Sequence, residues 1–310
     1  MKTMKLFFGA AFVGAALMMT SPAFAGGLVL SKAELSTKHR SSLVQRIAKA
    51  KAQHPDAFKL VAQAPDLAVK RDQEKRGRAA TITQALRSLG PDGLYPMLEM
   101  LAVDAPARGN MSDSAWTTLR VGLLEAVGAL RSKEARPVLE GVLKKGGDFE
   151  VMRAATEALG QLGDDAATKF LVRLAKKPGP ERVAVLSGLG ECRRIGAAKE
   201  LARSVHAATP VEARAIVASL QDVGNSWAWE TPAVKQSGEG DQVRAIAAQA
   251  LMEMFVKFRG ELRTKAETGL LVVKHSSTPQ LIQAARQGAD ARTVAALDAL
   301  AQRFANNPLH

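Results

Sequence analysis

The sequence predicts an all-α fold, an α-solenoid of stacked helical hairpins, and three observations lead to this expectation. Aromatic residues make up only 5% of the chain, while alanine and leucine dominate, a composition that suits helices better than β-sandwiches or barrels. Apolar residues recur at intervals of three and four, the spacing of one helix face. One such pattern, punctuated by glycine and aspartate, returns about every 30 residues.

The first 25 residues have the layout of a secretory signal. Two lysines precede an apolar run over Leu6–Met19, and Ala23-Phe24-Ala25 places small residues where a signal peptidase needs them. About 20 apolar residues are required to span a bilayer, so the shorter run favours cleavage after Ala25 over a retained membrane anchor. No later segment is apolar enough to span. We therefore expect the mature chain to be periplasmic or secreted.

Residues 26–77 form a basic segment that we expect to be helical. Removal of the signal takes away two lysines, which lowers the net charge from +13 to +11. Residues 26–80 hold twelve lysines and arginines against five acidic residues, so an anionic partner would be sought here first. Ser31 and Glu34 have the spacing of a capping box at a helix start.

A helical hairpin is predicted over residues 151–174. Apolar residues line one face up to Leu162, and Gly163 ends the helix because glycine adopts a left-handed backbone without strain. Asp164 or Asp165 then caps the next helix, whose apolar face includes Phe170.

This hairpin recurs along residues 78–275. Leu189 follows Leu159 by 30 residues and Leu220 follows Leu189 by 31, and DQVRAIAAQALMEMFVKF is predicted to repeat the first helix once more. Such units must stack to bury their apolar faces, giving about five to six repeats. Residues 276–310 are predicted to form a C-terminal helical cap. Helix starts are predicted at Asp148, at Asp241 and at a capping box of Thr209 with Glu212.

The repeat resembles the HEAT-repeat family, particularly its short bacterial form in phycobilisome lyases. The resemblance is carried by Arg153-Ala154-Ala155, Ala158-Leu159-Gly160 and Leu162-Gly163-Asp164, and Arg214-Ala215 and Arg244-Ala245 recur in the place of Arg153-Ala154. It implies a superhelical scaffold whose second helices line the concave side, and it says little about activity.

No catalytic, metal-binding or cofactor-binding residues are predicted. The five histidines lack metal-binding spacing such as HExxH, so the His-Glu iron pairs of the HEAT-repeat deoxyhypusine hydroxylases have no counterpart. P-loop, GxSxG and GxGxxG motifs are also missing from the sequence. Cys192 is expected to be a small buried residue at a helix end. The alternative is a reactive thiol, since Arg193 and Arg194 could lower its pKa.

Basic residues on the second helices are candidates for partner binding. On the concave side they would form a groove attractive to an anionic polymer or an acidic peptide. The alternative is that lysines near helix C-termini only offset the helix dipole and keep the surface solvated. The candidates are Lys169, Arg173, Lys176, Lys199 and Arg203.

A second candidate is the segment NSWAWETPAVKQSGEG, where a regular second helix is expected. Pro232 breaks a helix interior, so the repeat is predicted to be deformed here. Trp227 and Trp229 either form part of an interface, because tryptophan brings a large contact area, or fill the gap left by a shortened helix. Trp116 lies on an apolar stripe and is expected in the core.

The leading hypothesis is a non-enzymatic protein–protein interaction scaffold of the bacterial periplasm or cell envelope, with another protein as its partner. The second is a binder of anionic envelope polymer through the basic N-terminal segment and groove. An enzyme on a HEAT scaffold is the third. A nucleic-acid partner is not expected for an exported protein, and no cofactor is expected.

Overall fold

Helices make up every regular element in residues 26–75 and 79–307, which are the residues that the computed structural model describes. The predicted signal segment, the boundary at residues 77 and 78 and the last three residues lie outside the described residues. The helices are α1 (Thr37–Gln53), α2 (Pro55–Ala62), α3 (Ala64–Glu74), α4 (Thr83–Arg87), α5 (Leu94–Ala102), α6 (Asp113–Ala129), α7 (Arg136–Lys145), α8 (Phe149–Gln161), α9 (Asp165–Ala175), α10 (Arg182–Cys192), α11 (Ile195–Ser204), α12 (Pro210–Gly224), α13 (Pro232–Lys235), α14 (Gly240–Lys257), α15 (Glu261–Val273), α16 (Thr278–Arg286) and α17 (Ala291–Ala305).

The helices stack in two layers around one continuous core, which confirms the predicted all-α solenoid. Helices α6, α8, α10, α12 and α15 form one layer, and α7, α9, α11, α14 and α16 form the other. Each hairpin contributes one helix to each layer. Helices α1 to α5 cover the first hairpin, and α17 covers α15 at the far end, where Asn307 donates a hydrogen bond to the Leu271 carbonyl at 3.0 Å.

Glycines allow the helices of the α6 layer to approach backbone to backbone. A Cβ atom on Gly188 would lie 2.5 Å from the carbonyl carbon of Thr156, and one on Gly160 would lie 2.4 Å from the Gly188 oxygen. The hydroxyl of Thr156 donates to the Ala184 carbonyl at 2.7 Å, and that of Ser219 donates to the Leu186 carbonyl at 2.8 Å. These two bonds join neighbouring helices inside the core.

The helices of the α7 layer touch one another more sparsely. We call the closely packed α6 layer the inner layer and the α7 layer the outer layer. The second helices, α9 and α11 among them, lie in the outer layer. Glycines that permit close approach lie on the first helices, as at Gly160 and Gly188. That the second helices line the concave side of the solenoid stays a prediction.

Helix α14 corrects the predicted repeat register. It packs beside α11 and α16 in the outer layer, and α15 takes the inner position beside α12. The C-terminus of α12 lies against the C-terminus of α15, where Ser226 donates to the Val272 carbonyl at 2.9 Å. It also meets the N-terminal half of α14, since a Cβ on Gly224 would lie 2.9 Å from Ala247. Hence α14 is the second helix of its hairpin and does not repeat the first.

The left-handed turns confirm this corrected register. Inner-layer helices end at Arg131, Gly163, Arg193 and Lys274, with φ values of 52°, 65°, 45° and 50°. Lys274 follows α15, so α15 ends as α6, α8 and α10 do. Helix α12 instead leads into an insertion over residues 225–239 before its outer partner begins.

Most of the predicted helix caps are confirmed. Asp164 caps α9 by accepting from the Ala167 amide at 2.8 Å, and Asp148 caps α8 through the Glu150 amide at 2.9 Å. The Ser31–Glu34 and Thr209–Glu212 capping boxes are both formed. Asp241 is not a cap, because α14 already begins at Gly240.

The chain directly after the predicted cleavage site is bound to the end of α5. The amides of Leu28 and Val29 donate to the Met100 and Leu101 carbonyls at 2.9 and 3.1 Å, and the side chain of Leu30 is fully buried. A Cβ atom on Gly27 would lie 2.2 Å from the Ala102 nitrogen, so only glycine fits this position without displacement.

No helix among the described residues has both the length and the apolar character needed to cross a bilayer.

Candidate interaction surfaces

The basic candidates on α9 and α11 project from the outer layer. Lys169, Lys176 and Lys199 are exposed, and within the described part of the chain their side chains have no ion-pair or hydrogen-bond partner; the same is true of Lys177. We call these four residues the outer lysines. A helix C-terminus accounts only for Lys176 and Lys177, because Lys169 and Lys199 lie mid-helix.

The two arginine candidates are tied to neighbouring side chains. The guanidinium of Arg173 lies 5.8 Å from the centre of the Phe170 ring, a cation–π distance. Arg203 pairs with the carboxylate of Glu200, which is buried. These bonds raise the pKa of Arg203 above its ordinary value. The arginines thus have structural partners, and the outer lysines are the cations left free for a ligand.

Carboxylates recur across the inner layer, which is formed by the first helices. Glu125, Glu157, Glu191 and Asp222 lie on four successive inner helices, α6, α8, α10 and α12, and Arg153 contacts both Glu125 and Glu157. We call them the inner acidic row. The first helices thus carry carboxylates, while the basic candidates lie on the second helices.

Burial raises the pKa of two members of the row. For Glu157, burial is the largest cause, while Arg153 opposes it and Glu125 and Glu191 add to it. For Asp222, burial again raises the pKa, and Glu191 raises it further. Like charges held close together in a partly dry site favour the protonated form.

Arginines neutralise part of the inner acidic row. Arg153 pairs with Glu157 at 2.6 Å and with Glu125 at 3.5 Å, and Arg193 pairs with Glu191 at 3.1 Å. Among the four, only Asp222 has no side-chain ion pair or hydrogen bond to a residue that the structure describes. The negative charge of the row is thus partly neutralised by arginines, and Arg153 links the neighbouring helices α6 and α8.

The two tryptophans of the insertion have different surroundings. Trp229 is 6% exposed and donates from Nε1 to the Val223 carbonyl at 2.8 Å, so its ring fills space against the end of α12 and Gly240. Trp227 is 68% exposed. Only Trp227 can contact a partner without rearrangement, and Trp229 belongs to the core.

The insertion also caps a helix of the preceding hairpin. Helix α11 begins after Arg194, which offers no capping oxygen. The carboxylate of Glu239 takes that role, accepting from the Ile195 amide at 2.6 Å and from Arg194 at 3.3 Å. Glu239 therefore fixes the insertion against the outer layer.

An open apolar groove lies on the outer layer between α11, α14 and α16. Its volume is about 530 Å³. His206, Gln249, Glu253 and Lys257 stand at its polar rim. Its walls are formed by Val205, Met252, Val256, Leu281, Ala284 and Ala285.

The remaining reactive side chains have structural surroundings. Cys192 is buried at the end of α10, and burial raises the pKa of its thiol to about 12, which confirms the small buried residue and argues against a reactive thiolate. His275 is buried and lies 3.3 Å from Asp241. Trp116 is partly buried against the core, as predicted, between Arg108 and Arg120. In residues 26–75 and 79–307, no three His, Cys, Asp or Glu side chains are grouped to hold a metal ion.

Sequence reasoning missed the inner acidic row and the apolar groove. The row left a signal, because Glu125, Glu157, Glu191 and Asp222 recur at 32, 34 and 31 residues, in step with the repeat. The groove left no simple signal, since its walls come from helices more than 70 residues apart in the chain, from Val205 to Ala285.

The two-layer stack of helix pairs with a single core defines an α-solenoid. Residues 110–190, which extend from just before α6 into α10, match the family model described as HEAT repeats. This match supports the resemblance to HEAT repeats for that part of the chain. A search of curated proteins finds none that matches.

Proposed function

We propose that the protein is a non-enzymatic scaffold of the bacterial periplasm or cell envelope that binds another protein on its outer layer. The observation that carries this proposal is the combination of four unpaired outer lysines with an open apolar groove on the same layer. Proteins of the HEAT-repeat kind generally act as interaction scaffolds, and residues 110–190 match that family.

Support for the envelope location comes from the sequence of residues 1–25, whose basic, apolar and small-residue parts have the layout of a secretory signal. The amides of Leu28, Val29 and Leu30 donate to carbonyls of α5, so cleavage after Ala25 would leave these N-terminal contacts intact. The test is cell fractionation followed by N-terminal sequencing of the purified protein. Gly26 as the first residue supports export, and an uncleaved chain in the membrane fraction overturns it.

The scaffold function is tested by capture from envelope extract. The protein is immobilised and exposed to the extract at several salt concentrations, and bound proteins are identified by mass spectrometry. We expect one protein to be enriched specifically and to form a complex of defined stoichiometry with the purified chain. If no protein is enriched at any salt concentration, the scaffold proposal fails.

A second candidate function is binding of an anionic envelope polymer, and the outer lysines favour it because their charges are uncompensated. The basic N-terminal segment contributes less than its composition suggests, since Lys59 pairs with Asp56 at 2.8 Å and Arg71 with Glu74 at 3.2 Å. Binding to an anionic glycan should fall steeply with added salt and after combined Lys169→Gln and Lys176→Gln substitution. Salt-insensitive binding, or none, would exclude this candidate.

A further inference from the structure

The apolar groove between α11, α14 and α16 has the form of a docking site for side chains from outside. Its floor and walls are apolar over nearly all their surface, although it opens to solvent on the outer layer. Apolar surface that remains open on a folded protein marks an interaction site more often than chance exposure does. Because α11, α14 and α16 surround the groove, a helix from another protein can lie along it with its apolar face inserted.

The groove is lined by a cation, Lys257, that forms no ion pair with a carboxylate of the described residues. Lys257 donates to the carbonyl oxygens of Val205 and His206 at 2.9 and 3.0 Å. Both acceptors are neutral, so the ammonium keeps its full charge at the groove edge. The only acidic side chain that lines the groove is Glu253.

The surface that leads to the groove along α11 is also basic. Lys199 has no partner, and Arg203 is 58% exposed although it pairs with Glu200. An incoming segment with lysines beside its apolar face would meet these like charges, whereas one with carboxylates would meet opposite charges. Charge complementarity therefore selects an acidic occupant.

We propose that this groove binds an amphipathic helix of a partner protein, with large aliphatic side chains on one face and carboxylates along its flanks. This assignment rests on the proposed scaffold function and adds the position of the site and the chemistry of the partner. The aliphatic side chains fill the space beside Met252 and Leu281, and the carboxylates approach Lys257.

The test uses the purified protein and two fluorescein-labelled helical peptides in an anisotropy titration. Both peptides carry leucines at every third and fourth position, and the remaining positions are mainly glutamate in one and lysine in the other. We expect the acidic peptide to bind at least tenfold more tightly than the basic one, with weaker binding at higher salt. Equal binding of both peptides, or binding of neither, overturns the proposal.

Two variants locate the binding site. Ala284→Glu places a carboxylate and extra volume on the groove wall at an exposed position of α16, and it should weaken binding of the acidic peptide at least tenfold. Ala299→Glu, an exposed position of α17 outside the groove, is the matched control and should leave binding unchanged. Lys257→Gln keeps a hydrogen-bond donor but removes the charge, and it should weaken binding about threefold. Unchanged binding by Ala284→Glu overturns the site.

Two further outcomes separate this inference from related ones. A fluorescent fatty acid is titrated in parallel. If the fatty acid binds to the protein and neither peptide does, the groove is a lipid site and the proposal is wrong. The envelope capture is repeated with Ala284→Glu. If this variant captures the partner as well as the wild type does, the scaffold function stands but the groove assignment fails.

Discussion

The carboxylate of Glu239 accepts a hydrogen bond from the backbone amide of Ile195 at 2.6 Å and thereby caps a helix that lies 44 residues earlier in the chain. A carboxylate at a helix N-terminus satisfies an otherwise free amide and interacts favourably with the helix dipole. The insertion that follows α12 is thus attached to the preceding hairpin through a polar contact as well as through the Trp229 ring.

Substitution of Glu239 by alanine should destabilise the protein by about 1–2 kcal/mol, the usual effect of losing a helix cap. Glu239→Gln should lose less stability than Glu239→Ala, because the glutamine side-chain oxygen can still accept from the Ile195 amide. The remaining loss comes from the ion pair with Arg194. Urea unfolding followed by circular dichroism measures both changes. Equal stability of Glu239→Ala and the wild type would show that the cap contributes nothing.

The two tryptophans should differ sharply in their contribution to stability. Trp229→Ala removes a buried ring and should cost about 3–5 kcal/mol, whereas Trp227→Ala changes an exposed side chain and should stay within about 0.5 kcal/mol of the wild type. Thermal unfolding of the two variants makes the comparison, with each serving as the control for the other. Similar losses at both positions would contradict the placement of Trp229 in the core.

The spacing of the inner layer depends on Gly188. In Gly188→Ala the new Cβ would lie 2.5 Å from the Thr156 backbone, so α8 and α10 must move apart at a cost of about 1–3 kcal/mol. Gly196→Ala in α11 is the control, because its nearest neighbour would be 3.6 Å away, and alanine there should be neutral or stabilising by up to about 1 kcal/mol. Denaturant midpoints that fall equally for both would count against close packing at Gly188.

Asp222 should make stability fall as the pH rises. Its pKa is raised in the folded state by burial and by Glu191, so the folded protein binds its proton more tightly than the unfolded chain does. Stability is therefore lost as the pH increases through the interval between the unfolded and folded pKa values. Asp222→Asn should be more stable than the wild type at pH 7, and the gain should shrink near pH 4.

Urea unfolding at the two pH values measures the effect at Asp222. Asp104→Asn, at an exposed position without an ion pair, controls for the loss of one negative charge. If Asp222→Asn gives no gain in stability at pH 7, or a gain that grows on acidification, the pKa of Asp222 is not raised in the folded state.

The contact between residues 27–30 and α5 should fail when Gly27 gains a side chain. Gly27→Val would bring Cβ to 2.2 Å from the Ala102 nitrogen, which displaces the segment and exposes the cavity that Leu30 fills. We expect a loss of about 2–4 kcal/mol, close to that of Leu30→Ala. Hydrogen exchange at the end of α5 reports the displacement directly, and unchanged protection there would show that the segment does not need glycine.

The hairpins and their caps were predictable because they depend on short-range patterns. Gly163 and Asp164 adopt the turn and the cap that their residue types favour, and the spacing of Leu159, Leu189 and Leu220 correctly identified successive first helices. The family match over residues 110–190 covers this most regular part.

The position of α14 was not predictable from its apolar spacing. First and second helices bury similar stripes, so Val243 and Leu251 look alike in either layer. Which layer a helix joins is decided by the connection before it, and here the insertion over residues 225–239 separates the two helices of one hairpin by about the length that a whole helix would occupy. The spacing therefore suggested an extra first helix.

The packing and the charge of each layer also required the structure. Gly160, Gly188 and Gly190 were visible in the sequence, but their effect is collective, since several successive first helices approach one another closely. The basic residues of α9 and α11 lie in the outer layer, and the inner layer carries carboxylates such as Glu157.

Backbone contact between Gly160 and Gly188 has a mechanical consequence. Along the inner layer the helices are already as close as their main chains allow, so this side can neither shorten nor easily lengthen without breaking the Thr156 and Ser219 hydrogen bonds. Helices of the outer layer meet through side chains and can separate slightly. Bending of the solenoid should therefore hinge about the inner layer. Tension between the two ends of the solenoid would first widen the spaces between α11, α14 and α16.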